Sequence, residues 1–223
     1  MRTAIVIPAR FGSSRLPGKP LLRDTGKYLI QHVYEQAARA ACAEQVIVAT
    51  DDARICDAVR GFGGQARMTR ADHASGTDRV AEVAAGLTAD VVLNVQGDEP
   101  QLDPRAVDLL AGLMRDPGCD MATLAVPIRD PDAYRSPHVV KVVCDDRGRA
   151  LYFSRAPIPC VRDGDPDFSL APARFRQHLG VYAYRREFLL RLAALPPHPL
   201  EEAEKLEQLR VLGAGGTIRV GEV

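Results

Sequence analysis

Four runs of this chain are apolar at nearly every position: 4–8, 45–50, 90–96 and 121–128. A strand with one wet face alternates apolar and polar residues, whereas a strand apolar throughout needs cover on both faces. Between these runs lie segments of helical spacing. In 29–43 the residues Ile30, Val33, Tyr34, Ala37 and Ala41 recur on one face. The segment 53–60 is stopped by Gly61, Gly63 and Gly64, and 78–86 is also helical. Asp103 and Pro104 open a further helix that ends near Asp116, Pro117 and Gly118. A short strand over 65–69 completes the series. Strands alternating with helices predict an α/β fold, a mostly parallel sheet flanked by helices.

The pattern changes after Met121. Residues 139–144 and 149–153, joined by Asp145, Asp146, Arg147 and Gly148, read as a β-hairpin. The Pro-, Asp- and Gly-rich stretch 157–172 reads as a loop. A strand over 178–184, helices over 186–194 and 200–212, and a strand from Thr217 complete the chain. We therefore expect a single domain over 1–223. About 1–128 form the nucleotide-binding part, and about 129–223 form a β-rich elaboration for substrate binding and dimerisation.

Composition removes several function classes. The 29 basic and 29 acidic side chains cancel, so no global field draws the chain to nucleic acid or to an anionic membrane surface. No apolar stretch reaches the length of a membrane span, and the N-terminal run is interrupted by Pro8 and Arg10, unlike a signal peptide. The expected location is the cytoplasm. The five cysteines, Cys42, Cys56, Cys119, Cys144 and Cys160, are scattered and form no paired metal-binding motif or disulfide framework. Lysine is rare: Lys19, Lys27, Lys141 and Lys205 are the full set, so each lysine warrants inspection.

The loop after the first strand carries the chemistry. Arg10, Arg15 and Lys19 place three cations within ten residues, with Gly12, Gly18, Ser13 and Ser14 among them. Open α/β sheets bind ligands at this carboxyl edge. Glycines admit close approach of an anion, and a triphosphate and its departing pyrophosphate need such neutralisation. The loop is not a Walker sequence, because Pro20 follows Lys19 where Ser or Thr would stand. A solvated basic turn is the plain alternative, and its position directly behind a buried strand argues against it. At the end of the 90–96 run, Gln96, Gly97 and Asp98 bring a carboxylate toward the same crevice. Asp98 is the candidate ligand for Mg²⁺, which takes oxygen donors and often shares them with substrate phosphates. Glu99 is as readily a solvated loop acid, and Asp51 and Asp52 read mainly as loop and helix-capping residues. Ser75, Gly76 and Thr77 precede a helix and read as its cap, a geometry that also points free N–H groups at a ligand. Arg79 lies in that helix's first turn, where a cation opposes the helix dipole, which suggests a nucleotide contact.

These residues resemble a known family. I-P-A-R-F-G-S-S-R-L-P-G-K-P-L over 7–21 is similar to the signature of cytidylyltransferases that activate acidic sugars. S-G-T-D-R (75–79), N-V-Q-G-D-E-P (94–100), M-A-T-L-A-V-P-I (121–128), Y-F-S-R-A-P-I-P (152–159), H-L-G-V-Y-A-Y-R (178–185) and L-E-Q-L-R-V-L (206–212) follow in order. The ordered set resembles the 3-deoxy-manno-octulosonate (Kdo) cytidylyltransferases over nearly the whole chain.

The resemblance implies transfer of CMP from CTP to Kdo, an Mg²⁺ cofactor, a homodimer and a place in lipopolysaccharide biosynthesis. It implies that Pro8, Ala9, Arg10, Ser13, Ser75, Gly76, Arg79 and Gln96 hold the nucleotide, that Arg15 and Lys19 act on its phosphates, and that Asp98 binds the metal. Arg155, His178, Tyr182, Glu207 and Gln208 would line the acceptor pocket, with Arg155 suited to clamp a carboxylate. Read alone, His178 and Tyr182 fit a core, and Glu207 a solvated helix face. Tyr28 and Cys160 depart from the family pattern, which has proline and a bulkier ring there. The family also continues into a segment, not among these 223 residues, whose aspartate is a second metal ligand. Related enzymes that join CMP to phosphonoformate are the nearest alternative. A nucleotide-binding sensor without turnover is another. The hairpin valines Val139, Val140, Val142 and Val143 are the residue-level motive for a dimer.

Overall fold

The computed structural model describes residues 1–12 and 16–223. Ser13, Ser14 and Arg15, and with them part of the predicted phosphate loop, lie outside the described residues. The elements run β1 (Thr3–Ala9), α1 (Leu29–Ala37), β2 (Gln45–Thr50), α2 (Ala53–Gly61), β3 (Gln65–Met68), α3 (Gly76–Ala85), β4 (Val91–Asn94), α4 (Pro104–Leu113) and β5 (Met121–Pro127). They continue as α5 (Pro131–Arg135), β6 (Lys141–Cys144), β7 (Ala150–Ser154), β8 (Arg176–Arg185), α6 (Arg186–Ala193), α7 (Pro199–Glu204), α8 (Gln208–Gly213) and β9 (Ile218–Glu222).

Among the described residues the strands form one nine-stranded sheet, ordered β3-β2-β1-β4-β8-β5-β9, with the β6–β7 hairpin attached through β6 to β8. The pairs β1–β2, β1–β4, β2–β3 and β5–β9 are parallel, and β8 runs antiparallel to both β4 and β5. The uniform apolarity of the strands follows from cover on both faces. Ile5, Ile7, Val46, Val48, Val91 and Leu93 face a core shared with α1, α2 and α4. Their neighbours Ala4, Val6, Ile47, Ala49 and Val92 face a second core shared with α3, α6 and α8. Fully burying one such Val, Ile or Leu side chain contributes about 1.5–3 kcal/mol.

Two predicted helices differ from the structure, each because of a distant contact. The helix expected over 29–43 ends at Ala37. The next turn is drawn off by Asp108 on α4, whose carboxylate accepts from the backbone N–H of Ala41 (3.1 Å) and Cys42 (2.8 Å). The helix expected over 200–212 is two helices, α7 and α8. The break is at Lys205, which adopts a left-handed backbone (φ 54°), uncommon for a residue with a side chain. The short helix α5 was not anticipated.

Three of the four hairpin valines are taken up by the chain's own packing, and Val143 is left half-buried. Val142 is fully buried, Val140 packs on the second core, and Val139 packs on a satellite cluster of Ile128, Tyr134 and Phe175. The exposed apolar side chain of the hairpin is Leu151, 62% exposed on β7.

Candidate active site

β1 and β4 lie side by side and parallel, so their carboxyl ends open on one edge of the sheet. The chain leaves β1 through Pro8, Ala9 and Arg10 and leaves β4 through Gln96, Gly97 and Asp98. A Cβ added to Gly97 would stand 2.9 Å from the Pro8 carbonyl oxygen, so only glycine lets the two exits meet this closely. A Cβ on Gly76 would come within 3.5 Å of the Pro8 ring, which brings the start of α3 to the same point. Pro8, Ala9, Gly76 and Gln96 are thus gathered at one place, with Arg10 exposed beside them.

The two loops meet in an ion pair. Lys19, in a single 3-10 turn over Lys19–Leu21, places its Nζ 2.6 Å from Asp98 Oδ2. The loop that carries Lys19 closes on itself, because Gly18 N–H donates to the Phe11 carbonyl (2.9 Å). The Arg54 guanidinium lies 3.4 Å above the Phe11 ring, and Asp52 holds that guanidinium with both carboxylate oxygens. Partial enclosure and the neighbouring Asp98 carboxylate raise the pKa of Glu99. Among the described residues no group of three or more His, Cys, Asp or Glu side chains is disposed to hold a metal. The candidate donor set is a single carboxylate, Asp98. One carboxylate suits Mg²⁺, which is often held by one or two carboxylates together with substrate phosphates.

Ser75 and Arg79 are committed to the protein. Ser75 is the N-cap of α3: its Oγ accepts from Asp78 N–H, and the Asp78 carboxylate accepts from Ser75 N–H, both at 3.1 Å. Arg79 is buried, and its guanidinium donates to Asp51 Oδ2 (2.8 Å), to Thr69 Oγ1 and to the Arg70 carbonyl (3.3 Å). The cation at the helix start is thus answered by the acid that ends β2, a partner 28 positions away that local sequence does not reveal.

The other end of the site is built on β8 and on the α7–α8 break. Register places Tyr182 opposite Asn94 of β4 and Thr123 of β5. His178 is buried, with Nε2 3.0 Å from Thr123 Oγ1, and its ring leans on Tyr182 with centroids 5.5 Å apart. Burial pushes the His178 pKa down to about 4, so the imidazole is neutral at neutral pH. Burial and the nearby carboxylates of Glu207 and Glu99 raise the Tyr182 phenol. Glu207, the N-cap of α8, accepts from Thr77 Oγ1 at 2.6 Å, which joins it to the first turn of α3. Gln208 is 3% exposed, and its Nε2 has no hydrogen-bond partner among the described residues. It lines a cavity of about 10 Å³ with Thr77, Tyr184, Glu207 and Arg210. His178 thus leans on Tyr182, Glu207 acts on the Tyr182 phenol, and Gln208 shares a cavity with Glu207.

Arg155 was expected to clamp a carboxylate, and three of its five N–H donors are spent on main chain. Nε donates to the Glu204 carbonyl (2.7 Å), Nη1 to the Pro137 carbonyl (3.0 Å) and Nη2 to the Lys205 carbonyl (3.4 Å). The reason lies in α7: its last carbonyls have no intrahelical donor, and Arg155 supplies one. Sequence reasoning gave no role to Lys141 or Arg54 and read Thr77 only as part of the helix cap. The rarity of lysine was the available signal for Lys141; the other two are visible only through tertiary contacts.

Comparison with known proteins identifies the family. Residues 4–218 match the family described as cytidylyltransferase. A 3-deoxy-manno-octulosonate cytidylyltransferase of Syntrophotalea carbinolica is 55% identical over 226 residues, spanning 100% of this chain and 90% of that protein. Its counterpart in Syntrophobacter fumaroxidans is 58% identical, spanning 99% of this chain and 88% of that protein. The solved structure of a CMP:2-keto-3-deoxy-manno-octonic acid synthetase complexed with CTP superposes with a TM-score of 0.93 at 51% identity. That superposition covers 100% of this chain and 90% of the other.

Proposed function

Because the chain belongs to the cytidylyltransferase family, we propose that it transfers CMP from CTP to 3-deoxy-manno-octulosonate and releases pyrophosphate. The observation that carries this reading is the meeting of Lys19 and Asp98, 2.6 Å apart, over the adjoining ends of β1 and β4. A phosphate-binding cation and a carboxylate able to share a divalent metal with phosphates converge there, and a polar acceptor end adjoins them.

In the reaction the acceptor's anomeric hydroxyl attacks the α-phosphorus of CTP in line. The new bond joins that oxygen to phosphorus, the bond to the bridging oxygen of the β-phosphate breaks, pyrophosphate leaves with the electron pair, and the hydroxyl's proton passes to solvent. Lys19 and Arg10, with Arg15 on the same loop, hold the triphosphate and stabilise charge on the departing pyrophosphate. Pro8, Ala9, Gly76 and Gln96 shape the nucleoside end. Ser75 and Arg79 act there through the α3 cap and the Asp51 pair. Asp98 would hold Mg²⁺ together with phosphate oxygens; when bound, the ion neutralises phosphate charge and acidifies the attacking hydroxyl. No protein nucleophile is needed, because positioning and electrostatics supply the catalysis.

At the acceptor end Gln208 offers a buried N–H that has no partner among the described residues, and Glu207 offers a carboxylate. His178, neutral at working pH, and Tyr182 form the wall. Such a set suits the hydroxyls of a sugar acid. Among the described residues no helix is long and apolar enough to cross a membrane. The product would feed lipopolysaccharide assembly from the cytoplasm.

The test is release of pyrophosphate from each of the four common nucleoside triphosphates, with and without Kdo. Release confined to CTP, and dependent on Kdo, supports the reading; release that ignores the acceptor contradicts it. The proposal includes a homodimer, with exposed Leu151 on the hairpin's outer strand as a contact. Sedimentation at micromolar concentration should show a dimer, and a monomer throughout would refute that part.

A further inference from the structure

Lys141 opens β6 and is fully buried. It stands in the run Val139, Val140, Lys141, Val142, Val143, where local sequence gives an ammonium no reason to be. Removing a lysine charge from water costs several kcal/mol unless its hydrogen bonds are replaced. Here all three N–H donors of the ammonium find backbone carbonyls: Ser136 at 2.8 Å, Val139 at 2.6 Å and Arg155 at 2.6 Å. Among the described residues no carboxylate lies within ion-pairing distance of it. Burial lowers its pKa, and the Glu204 carboxylate opposes that shift. The lysine is a three-way tie between the turn over 136–139 and the end of β7.

That tie leads to the acceptor end by two routes. Through Arg155, whose carbonyl Lys141 holds, it reaches the α7–α8 break. The Arg155 side chain caps the carbonyls of Glu204 and Lys205 and returns to the same turn at Pro137. The Glu204 carboxylate accepts in turn from Ser154 Oγ (2.6 Å) and Arg155 N–H (2.9 Å). The left-handed Lys205 follows at once, and two residues on Glu207 meets Thr77. The second route is through β8: Lys141 pairs with Gln177, and His178 N–H donates to the Val140 carbonyl at 2.8 Å.

We propose that Lys141 is the positioning residue of the acceptor end, acting through Arg155 and β8 to set where Glu207, Gln208 and His178 stand. The proposal rests on reading that end as the Kdo pocket. In it Arg155 holds the break in place instead of gripping the acceptor's carboxylate.

The experiment uses Lys141→Met, which keeps length and removes every donor, and Lys141→Gln, which keeps two N–H groups. Pyrophosphate release is measured with CTP and Kdo each varied. The expected result is an acceptor KM raised about ten- to a hundredfold in Lys141→Met, with the CTP KM within about twofold of wild type. Lys141→Gln should recover part of the loss. In an Arg155→Ala background, adding Lys141→Met should raise the acceptor KM by a smaller factor than in wild type, because one of its two routes is already cut. If Lys141→Met does not fold, Lys141→Gln is read by the same split. An unchanged acceptor KM, or acceptor and CTP KM rising together, overturns the proposal.

Hydrogen exchange gives a readout independent of the acceptor. Amides of 136–139 and 200–208 should exchange faster in Lys141→Gln than in wild type, while those of β1 and β4 do not change. Unchanged exchange over 200–208 also overturns the proposal. Wild type failing to use Kdo while this exchange difference persists would instead count against the functional reading alone.

Discussion

His178 offers a perturbation whose size follows from the structure. Its side chain is buried against Thr123, Phe153 and Tyr182, and its pKa falls from 6.5 to about 4 on folding. Between those values the unfolded chain binds a proton that the folded chain excludes. The contribution is therefore fully present above about pH 6.5 and is lost as the pH falls toward 4. At about 1.4 kcal/mol per pKa unit, the loss from this group at about pH 4.5 is about 2.5 kcal/mol. Urea unfolding of wild type and His178→Gln at about pH 7.5 and about pH 4.5 measures it. The drop in stability between the two conditions should be smaller in the variant by about 2.5 kcal/mol. Equal drops in the two proteins would mean that His178 is not held neutral in the folded state, and the description of this wall of the site would fail.

At the other end of the crevice Asp98→Asn and Lys19→Met form one prediction. The pair is 37% and 53% exposed at its two side chains, and an exposed ion pair contributes about 0–1 kcal/mol. Thermal midpoints should therefore shift by only a few degrees, while kcat falls about a hundred- to a thousandfold in each variant. Near-normal turnover of Asp98→Asn at saturating Mg²⁺ would remove it from the metal site. A collapsed melting temperature with normal activity per folded Lys19→Met molecule would make that lysine structural.

What could be read in the sequence was what short-range physics decides. β1, β2, β4 and β5 were legible because both faces are buried, and the N-caps Ser75, Asp52 and Asp103 because capping is local. The meeting of Lys19 and Asp98 followed from placing both after neighbouring strands of one sheet. The failures share a long-range cause. α1 ends where Asp108, more than 60 positions away, takes over its donors. The helical spacing over 200–212 carries no mark of Arg155, just past β7, which caps the break at Lys205. Arg79 and Arg155, read as cations aimed at ligands, found Asp51 and three main-chain carbonyls. A lone arginine in a motif does not show how much of its hydrogen-bonding capacity the fold has already taken.

Transfer itself is measured most directly by following CTP labelled at the α-phosphate, with Kdo or phosphonoformate as acceptor, in wild type and in Glu207→Ala. A site built on hydroxyl contacts penalises an acceptor that lacks them, since its polar groups are left unpaired. Phosphonoformate would leave Glu207 as an acid beside an anion. The label should pass to Kdo in wild type, kcat/KM should favour Kdo strongly, and Glu207→Ala should shrink that preference. Label passing to phosphonoformate and not to Kdo would contradict the acceptor, and label passing to neither would contradict the account as a whole.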